Sequence, residues 1–565
     1  SDTLTASPTV VELKEYVRGV TTDYYERVEG FRTVTAHASG ALPDSDDPAD
    51  TDSNDRGDYA FLQDSSGADL LVAKPRNTML SDVNKEIYSV QALGFPTVQA
   101  RATAVSGVVD RAEFEGYDSA TGTSAVFWGR PGSAAFSPEG VPGATWFANI
   151  AQGFGDVEAS SNRSDDIARL FGSTGDDTFT SDSSAATLVS TVGGLSYTSK
   201  ANAFRKVYAT ATAGGTDTAT MMDLSTGVDI FVGKPASGTF TGGGFLDRAT
   251  GFGSVTAVSA KGGNDIAKLF DSAGADTFVA NPTSSSMTGT GFANTVNNFA
   301  QVIAAATAGG FDTADLHGSA GTDRFWAYPD YAYLQGTTLD GHTYYYGANT
   351  FEQVVGHSNG GENDIAQLYG REDAADKPDT FVAGAYWRPG GSTNPVTRAV
   401  MSDGDYDGSD IRVDTADPSS ALAAFSDFSY LALAEGFHSV VGMSRDTTEA
   451  AKNDIARIFD YADGADTFTG SLSSGIGRMT GDGAYSINVR YFHGVVATGD
   501  GVNDTAMLYD SSAKDAALVD WLEVDGDNHR ARLFNTTNPA VLNEIFEVHD
   551  FANVRAKLAD AAVTT

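Results

Sequence analysis

A long repeat constrains this chain more than any other feature. Its clearest copy reads GGNDIAKLFDSAGADTFVA, from Gly262 to Ala280. The leading aspartate recurs at Asp58, Asp110, Asp166, Asp217, Asp265, Asp312, Asp364, Asp454 and Asp504, mostly in steps of about 50 residues. A unit of that size cannot bury its own apolar face, so it must stack on its neighbours or pack radially against them. The step from Asp364 to Asp454 is longer and carries an insertion.

A second motif alternates with the first: an aromatic, two variable residues, a valine, then small residues. Its aromatics are Phe31, Phe95, Phe154, Phe204, Phe252, Phe299, Phe351, Phe437, Phe492 and Phe551. In the copy FAQVIAAA, Val302, Ala304 and Ala306 fall on one face, the period of a strand buried on one side. The expected fold is therefore all-β, a parallel β-helix or β-roll-like solenoid of about nine repeats. Whether a repeat makes one rung or two stays open. A propeller is the main rival, since a repeat of this length is enough for a four-stranded blade. Nine blades with unequal spacing count against it. At the N-terminus, SPTVVELKEYV from Ser7 to Val17 offers a serine cap, a proline at the first helical position and a one-sided apolar face, which predicts a short capping helix. The expected divisions are a cap over 1–30, repeats over 31–382, an insertion over 383–436, and repeats with the C-terminal end over 437–565.

Acidity narrows the partners. With 36 Lys and Arg against 75 Asp and Glu, the formal charge is −39, and the pI is near 4.3. Nucleic acid and anionic membranes are excluded as partners, because both demand basic patches. Such a charge destabilises a compact fold unless cations bind or screen it. A merely solvated acidic surface, as in a halophile, is the alternative. There are no cysteines, which removes zinc–thiolate sites and disulfides, and no apolar run approaches the ~20 residues of a membrane-spanning helix. Repeats, acidity and low lysine content together predict an extracellular or cell-surface location.

Within a repeat a second aspartate follows the first by 11 residues in the cleanest copies, as in Asp166 and Asp177, Asp265 and Asp276, or Asp312 and Asp323. Glycines precede it and alternating apolar residues follow. Glycine turns let backbone carbonyls converge, and a carboxylate entering the next strand adds the hard oxygen that calcium prefers. The candidate calcium ligands are Asp58, Asp69, Asp166, Asp177, Asp217, Asp229, Asp265, Asp276, Asp312, Asp323, Asp364, Asp379, Asp454 and Asp466. The Asp110 copy is the weak one, because Ser124 stands at its second position. Capping of turns through Asx hydrogen bonds is the other role open to these residues.

The run GSAGTDRFW, from Gly318 to Trp326, resembles the calcium-binding nonapeptide of RTX and hemolysin-type β-rolls, and DSAGADTFV, GSTGDDTFT, LSTGVDIFV and DSSGADLLV keep its last glycine and aspartate. The long repeat as a whole is similar to arrays in large secreted surface proteins of planctomycete-type bacteria. These resemblances imply calcium as the cofactor and an extracellular setting, and they bring no catalytic residues with them.

In the insertion, DGDYDGSDIRVD places Asp403, Asp405, Asp407, Gly408 and Asp414 at positions 1, 3, 5, 6 and 12 of an EF-hand-like loop. Asp410 stands where an apolar residue is usual, and Asp414 replaces the customary glutamate. The eight histidines show no metal-binding spacing, and no hydrolase, phosphate-loop or dinucleotide motif occurs. An aromatic run, Trp326, Tyr328, Tyr331, Tyr333, Tyr344, Tyr345 and Tyr346, could face a sugar or simply pack as strand surface. The expected function is that of a secreted, calcium-binding, non-enzymatic protein of the bacterial cell surface. It would associate head-to-tail with itself into a fibre, S-layer or adhesive coat, with cell-surface polysaccharide as a further partner. A secreted polysaccharide-degrading enzyme on a β-helix is the alternative.

Overall fold

Alternating small apolar residues decide the elements. The computed structural model describes residues 2–15, 24–38, 58–84, 86–103, 108–116, 124–138, 147–161, 163–372, 378–386, 396–408, 411, 423–445, 454–460, 464–481, 485–501, 503–510, 519–536 and 544–557. Among them the regular elements are all strands, and no helix is long and apolar enough to cross a membrane. The architecture is an all-β, solenoid-like stack of repeats. The chain divides into two compact units, Ser1–Asp265 with Gly291–Asn297, and Ile266–Thr290 with Asn298–Thr565.

The path of one repeat shows how the stack is made. In the second unit the Phe-x-x-Val strand Gln301–Ala305 lies in one sheet and the next strand, Thr313–His317, lies in the other. The chain then returns to the first sheet as a three-stranded antiparallel meander, Thr322–Ala327, Tyr331–Thr337 and Thr343–Asn349. The following repeat does the same with the sheets exchanged. The remaining pairings are parallel: Gln301–Ala305 pairs with Thr343–Asn349 of its own repeat and with Ile266–Phe270 of the one before, while Thr322–Ala327 pairs with Ile365–Tyr369 of the next. The first unit repeats this plan, with Asp177–Ser181, Ala185–Val192 and Leu195–Asn202 as one of its meanders. A repeat thus supplies five strands, which is neither one simple rung nor two. The meanders turn on two-residue loops such as Pro75-Arg76 and Gly193-Gly194, the latter with both φ positive as a tight hairpin requires.

The N-terminal helix expected over Ser7–Val17 is corrected. Asp2–Ala6 and Val10–Glu15 are antiparallel strands, and the Ser7 N–H donates to the Val10 carbonyl at 2.8 Å. Ser7-Pro8 starts a hairpin turn here. Leu4, Ala6 and Val11 are buried by the sheet, so tertiary burial of a β-branched alternation overrides the helical cap signal. Residues 16 and 17 lie outside the described set.

Each Phe-x-x-Val strand is entered through a left-handed residue. φ is positive at Gly94, Gly153, Ala203, Gly251, Asn298, Thr350, Gly436, Tyr491 and Asp550, each immediately before the motif's phenylalanine. That corner swings the ring inward: Phe154, Phe252, Phe351 and Phe437 are at most 4% exposed. The ring meets the phenylalanine of an earlier meander, as in Phe179–Phe252 at 6.1 Å and Phe278–Phe351 at 6.2 Å between centroids. Alanines such as Ala219, Ala257, Ala304 and Ala314 fill the remaining inward rows, so the two sheets close on a thin core.

The insertion is an elaborated meander. Thr380–Tyr386, Val396–Ser402 and Leu431–Glu435 occupy the three meander places of their repeat, and the departing segment runs between the second and third. It folds back over the outer face of the sheet. Ile411, Ala424 and Phe425 pack there with Val355, Val382, Val400, Leu431 and Leu433 into a second small core.

Candidate functional site

The recurring aspartates of the repeat gather at the corners between sheets, and they join one repeat to the next. The leading aspartate of a repeat accepts a hydrogen bond from the backbone N–H that begins the preceding repeat's meander. The Asp177 N–H donates to Asp217 Oδ1 at 2.9 Å, Asp276 to Asp312 at 2.8 Å, Asp323 to Asp364 at 2.7 Å, and Asp379 to Asp454 at 2.8 Å. The Asp69–Asp110, Asp229–Asp265 and Asp466–Asp504 pairs repeat the geometry at 3.0, 2.8 and 3.0 Å. Glycine lets the corners stack this closely. At Gly310, φ is +134° and a Cβ would lie 2.2 Å from the Gly274 carbonyl oxygen.

The aspartates that meet are therefore not the two of one repeat. Asp312 and Asp323 begin strands in opposite sheets, and each pairs with an aspartate of a neighbouring repeat. The Asp110 copy follows the same pattern. Asp110 joins Asp69 upstream, and the place of its missing partner is held by Ala125, whose N–H donates to Asp166 Oδ1 at 2.8 Å.

The second aspartate closes its own turn. Ser65, Ser173, Ser272 and Ser319, four residues upstream, donate their N–H to Asp69, Asp177, Asp276 and Asp323 at 2.6–3.0 Å. A meander tyrosine often adds a hydroxyl: Tyr88 to Asp69 at 2.8 Å, Tyr485 to Asp466 at 3.1 Å, and Tyr344 to Asp323. These carboxylates are 0–2% exposed. Burial pushes Asp110, Asp312 and Asp323 up to about 6, against the hydrogen bonds they accept, with neighbouring carboxylates adding to the rise. Asp379 is driven up to about 7 by burial, which its Tyr430 hydrogen bond opposes and the charge of Asp454 reinforces. The Asx-turn role is thus met at most of these positions. Asp58 is half-buried just before Tyr59–Gln63.

Among the described residues, carboxylates come in threes at three corners, with oxygens within 4.8 Å of one another: Asp64, Asp69 and Asp110; Asp223, Asp229 and Asp265; and Asp460, Asp466 and Asp504. The middle cluster, Asp223, Asp229 and Asp265, leaves two of its oxygens without a donor. All three residues are 0% exposed, and neither Asp223 Oδ2 nor Asp229 Oδ1 has a hydrogen-bond donor. The cause is visible in the sequence. Phe245 occupies the place held by Tyr485 in the Asp466 corner, so the hydroxyl that reaches Asp466 has no counterpart at Asp229. Gly242 stands opposite, where a Cβ would fall 1.1 Å from Asp229 Oδ1. The gathered carboxylate oxygens are hard donors that could hold a cation. Asp64, Asp223 and Asp460 carried no assignment from the sequence; a closing aspartate on the strand before the meander was the available signal.

Part of the EF-hand-like segment lies among the described residues. Asp403 is buried and accepts the Ser429 and Tyr430 N–H groups at 2.8 and 3.2 Å, whereas Asp405 is exposed on a short strand paired with Phe425–Ser426. Asp407 is exposed, and Asp410 and Asp414 lie outside the described residues. The aromatic run splits between two faces. Tyr344 and Tyr346 point into the core, while Tyr345, Tyr333, Trp326, Tyr331, Tyr328 and Tyr369 form an outer row of near-parallel rings at 4.2–6.4 Å. Comparison with protein-family models and with curated proteins finds no match to this chain.

Proposed function

We propose that this chain is a non-enzymatic structural protein of a bacterial cell surface, which binds calcium in its aspartate corners and associates with copies of itself. In this reading the repeats form a β-helix- or β-roll-like solenoid of about nine units, with the meander as an elaboration of each coil. The observation that carries it is the cluster of Asp223, Asp229 and Asp265. Three fully buried carboxylates with two donor-free oxygens need protons or a cation to offset their mutual repulsion. A divalent ion there would lock adjacent repeats together. The charge of −39 and the absence of cysteine suit a calcium-rich exterior. The hydrogen-bonded aspartates elsewhere fit a scaffold more than a catalyst, since backbone and serine donors already hold many of their oxygens.

The outer aromatic row supports a secondary role in holding polysaccharide, because flat parallel rings offer a stacking surface to sugar faces. Retention on insoluble glycans, without release of reducing ends, separates binding from the degrading-enzyme alternative.

Calcium titration with thermal melting tests the main proposal. Millimolar calcium is expected to raise the melting temperature over that in chelator, with each site contributing about 2.7 kcal/mol at a hundredfold excess over its Kd. Phe245→Tyr supplies the missing hydroxyl to Asp229 and should lower the calcium stoichiometry by one without unfolding the corner. An unchanged melting temperature in the native chain would overturn calcium binding and leave the aspartates as hydrogen-bonding turn residues alone.

A further inference from the structure

Two histidines that the sequence separates by 40 residues meet on the outer face of one sheet in the second unit. Thr313–His317 pairs in parallel with Gln353–His357, which pairs in parallel with Leu431–Glu435, and Val396–Ser402 runs antiparallel beside the last. The register sets His317, His357, Glu435 and Arg398 in one row across these strands. Period two puts Asp315 on the same face as His317, with Ala314 and Leu316 turned into the core.

The imidazole rings stack at 4.6 Å with 7° between their planes, so their Nε2 atoms project side by side. Asp315 receives both: Oδ2 lies 3.1 Å from His317 Nε2, and Oδ1 lies 2.9 Å from His357 Nε2. The second contact is close yet off the hydrogen-bonding direction, and Asp315 Oδ1 is buried without a donor. Behind His357, Nδ1 lies 3.4 Å from Glu435 Oε2, and Glu435 Oε1 accepts from Arg398 at 2.9 Å. Arg398 is 1% exposed and donates on to the Ile411 carbonyl at 3.1 Å, so the insertion's small core braces the row from one side.

We propose that His317, His357 and Asp315 form a binding site for a borderline divalent transition-metal ion of the zinc class, distinct from the aspartate corners. Two imidazole nitrogens and one carboxylate oxygen, all within 4.8 Å of one another, are the donor set such ions favour, and calcium discriminates against it. Glu435 holds the non-ligating nitrogen of His357, the arrangement by which outer carboxylates orient metal-bound histidines. Water would complete the coordination on the solvent side, where His317 is about a quarter exposed.

The test is calorimetric titration of the full chain, stripped by chelator, with zinc chloride in millimolar calcium, so that the oxygen-only corners are already filled. One zinc ion per chain is expected. Cobalt(II) as a probe should give the visible absorption of nitrogen-containing low-coordination sites. His317→Ala and His357→Ala should each abolish the saturable isotherm, and Glu435→Gln should weaken affinity about 10–100-fold. His529→Ala, at an exposed histidine away from this row, should leave affinity unchanged. If His357→Ala fails to fold, line broadening of the His317 and His357 ring resonances by cobalt in the native chain reads the same site. Absence of a saturable zinc event, undiminished affinity in His317→Ala, or a cobalt spectrum of six oxygen ligands would each overturn the proposal. None of these outcomes depends on calcium binding at Asp229.

Discussion

Asp247 sits on the inward row of Phe245–Thr250, opposite Val207 and Phe240, and is 2% exposed. Burial pushes its carboxyl up to about 7, with Ser181 pulling it down and the charge of Asp182 adding to the rise. A folded-state value above the unfolded one means that the native state binds the proton more tightly. This group's contribution is therefore most favourable below about pH 4, weakens as pH rises, and levels off above about pH 7. The swing is on the order of 4 kcal/mol. Asp247→Asn keeps the shape and removes the titration. Urea unfolding should find the variant more stable than the native chain at pH 8 and close to it at pH 4. An equal difference at both pH values would refute the assignment. Nothing in the local sequence marks Asp247, because its burial is set by strands more than 30 residues away on one side.

Among the elements, the left-handed corner before each phenylalanine is the most repeated device, and its residues are not equally suited to it. Gly251 has φ +82° and a Cβ there would lie 2.7 Å from the Ala211 carbonyl oxygen, so glycine is required for both conformation and space. Ala203 adopts φ +57° in the equivalent corner. Gly251→Ala should destabilise by about 1–3 kcal/mol, whereas Ala203→Gly should be neutral or stabilising by up to about 1 kcal/mol. Chemical denaturation of the two variants checks the contrast, and equal effects would mean that the corners relax freely. The corner was partly legible. Glycine before the phenylalanine is frequent, but Asn298, Thr350 and Tyr491 hide the shared conformation. The meanders were less legible still, since their middle strands pair with sequence neighbours in a chain whose other pairings are parallel and reach tens of residues along it.

For the molecule as a whole, the ends of the sheets are where association would begin. In the first unit Tyr24–Glu29 and Thr33–His37, and in the second Val519–Asp525 and Asn553–Lys557, each have a partner strand on one side among the described residues. Phe31 is 66% exposed where the internal copies of its motif are buried, and Trp521, Leu522 and Val524 are exposed on their edge strand. Unpaired backbone and bare apolar side chains invite a second copy. Repulsion between chains of −39 opposes it, so calcium should promote association. Light scattering should report growth in millimolar calcium, reversal by chelator and suppression by Val524→Lys. A chain that stays monomeric at high concentration in calcium would rule this out.

The sequence by itself determined the period, the inward face of the Phe-x-x-Val strands, as at Val302 and Ala304, and many of the residues that line the corners. Those depend on spacing of two residues along a strand and on side-chain chemistry, both of which a single chain displays directly. It also pointed to aspartate clusters, and most of the named residues do sit at corners. Which aspartates meet was decided only in three dimensions. Asp312 lies 11 residues from Asp323 yet pairs with Asp276, 36 residues upstream, because consecutive strands go to opposite sheets and stacking sets the leading aspartate of one repeat against the start of the preceding repeat's meander. Antiparallel pairing with Asp2–Ala6 and Tyr24–Glu29 made Val10–Glu15 a strand. Stacking also brought His317 against His357, whose separation matches no local metal motif and whose meeting follows only from parallel register.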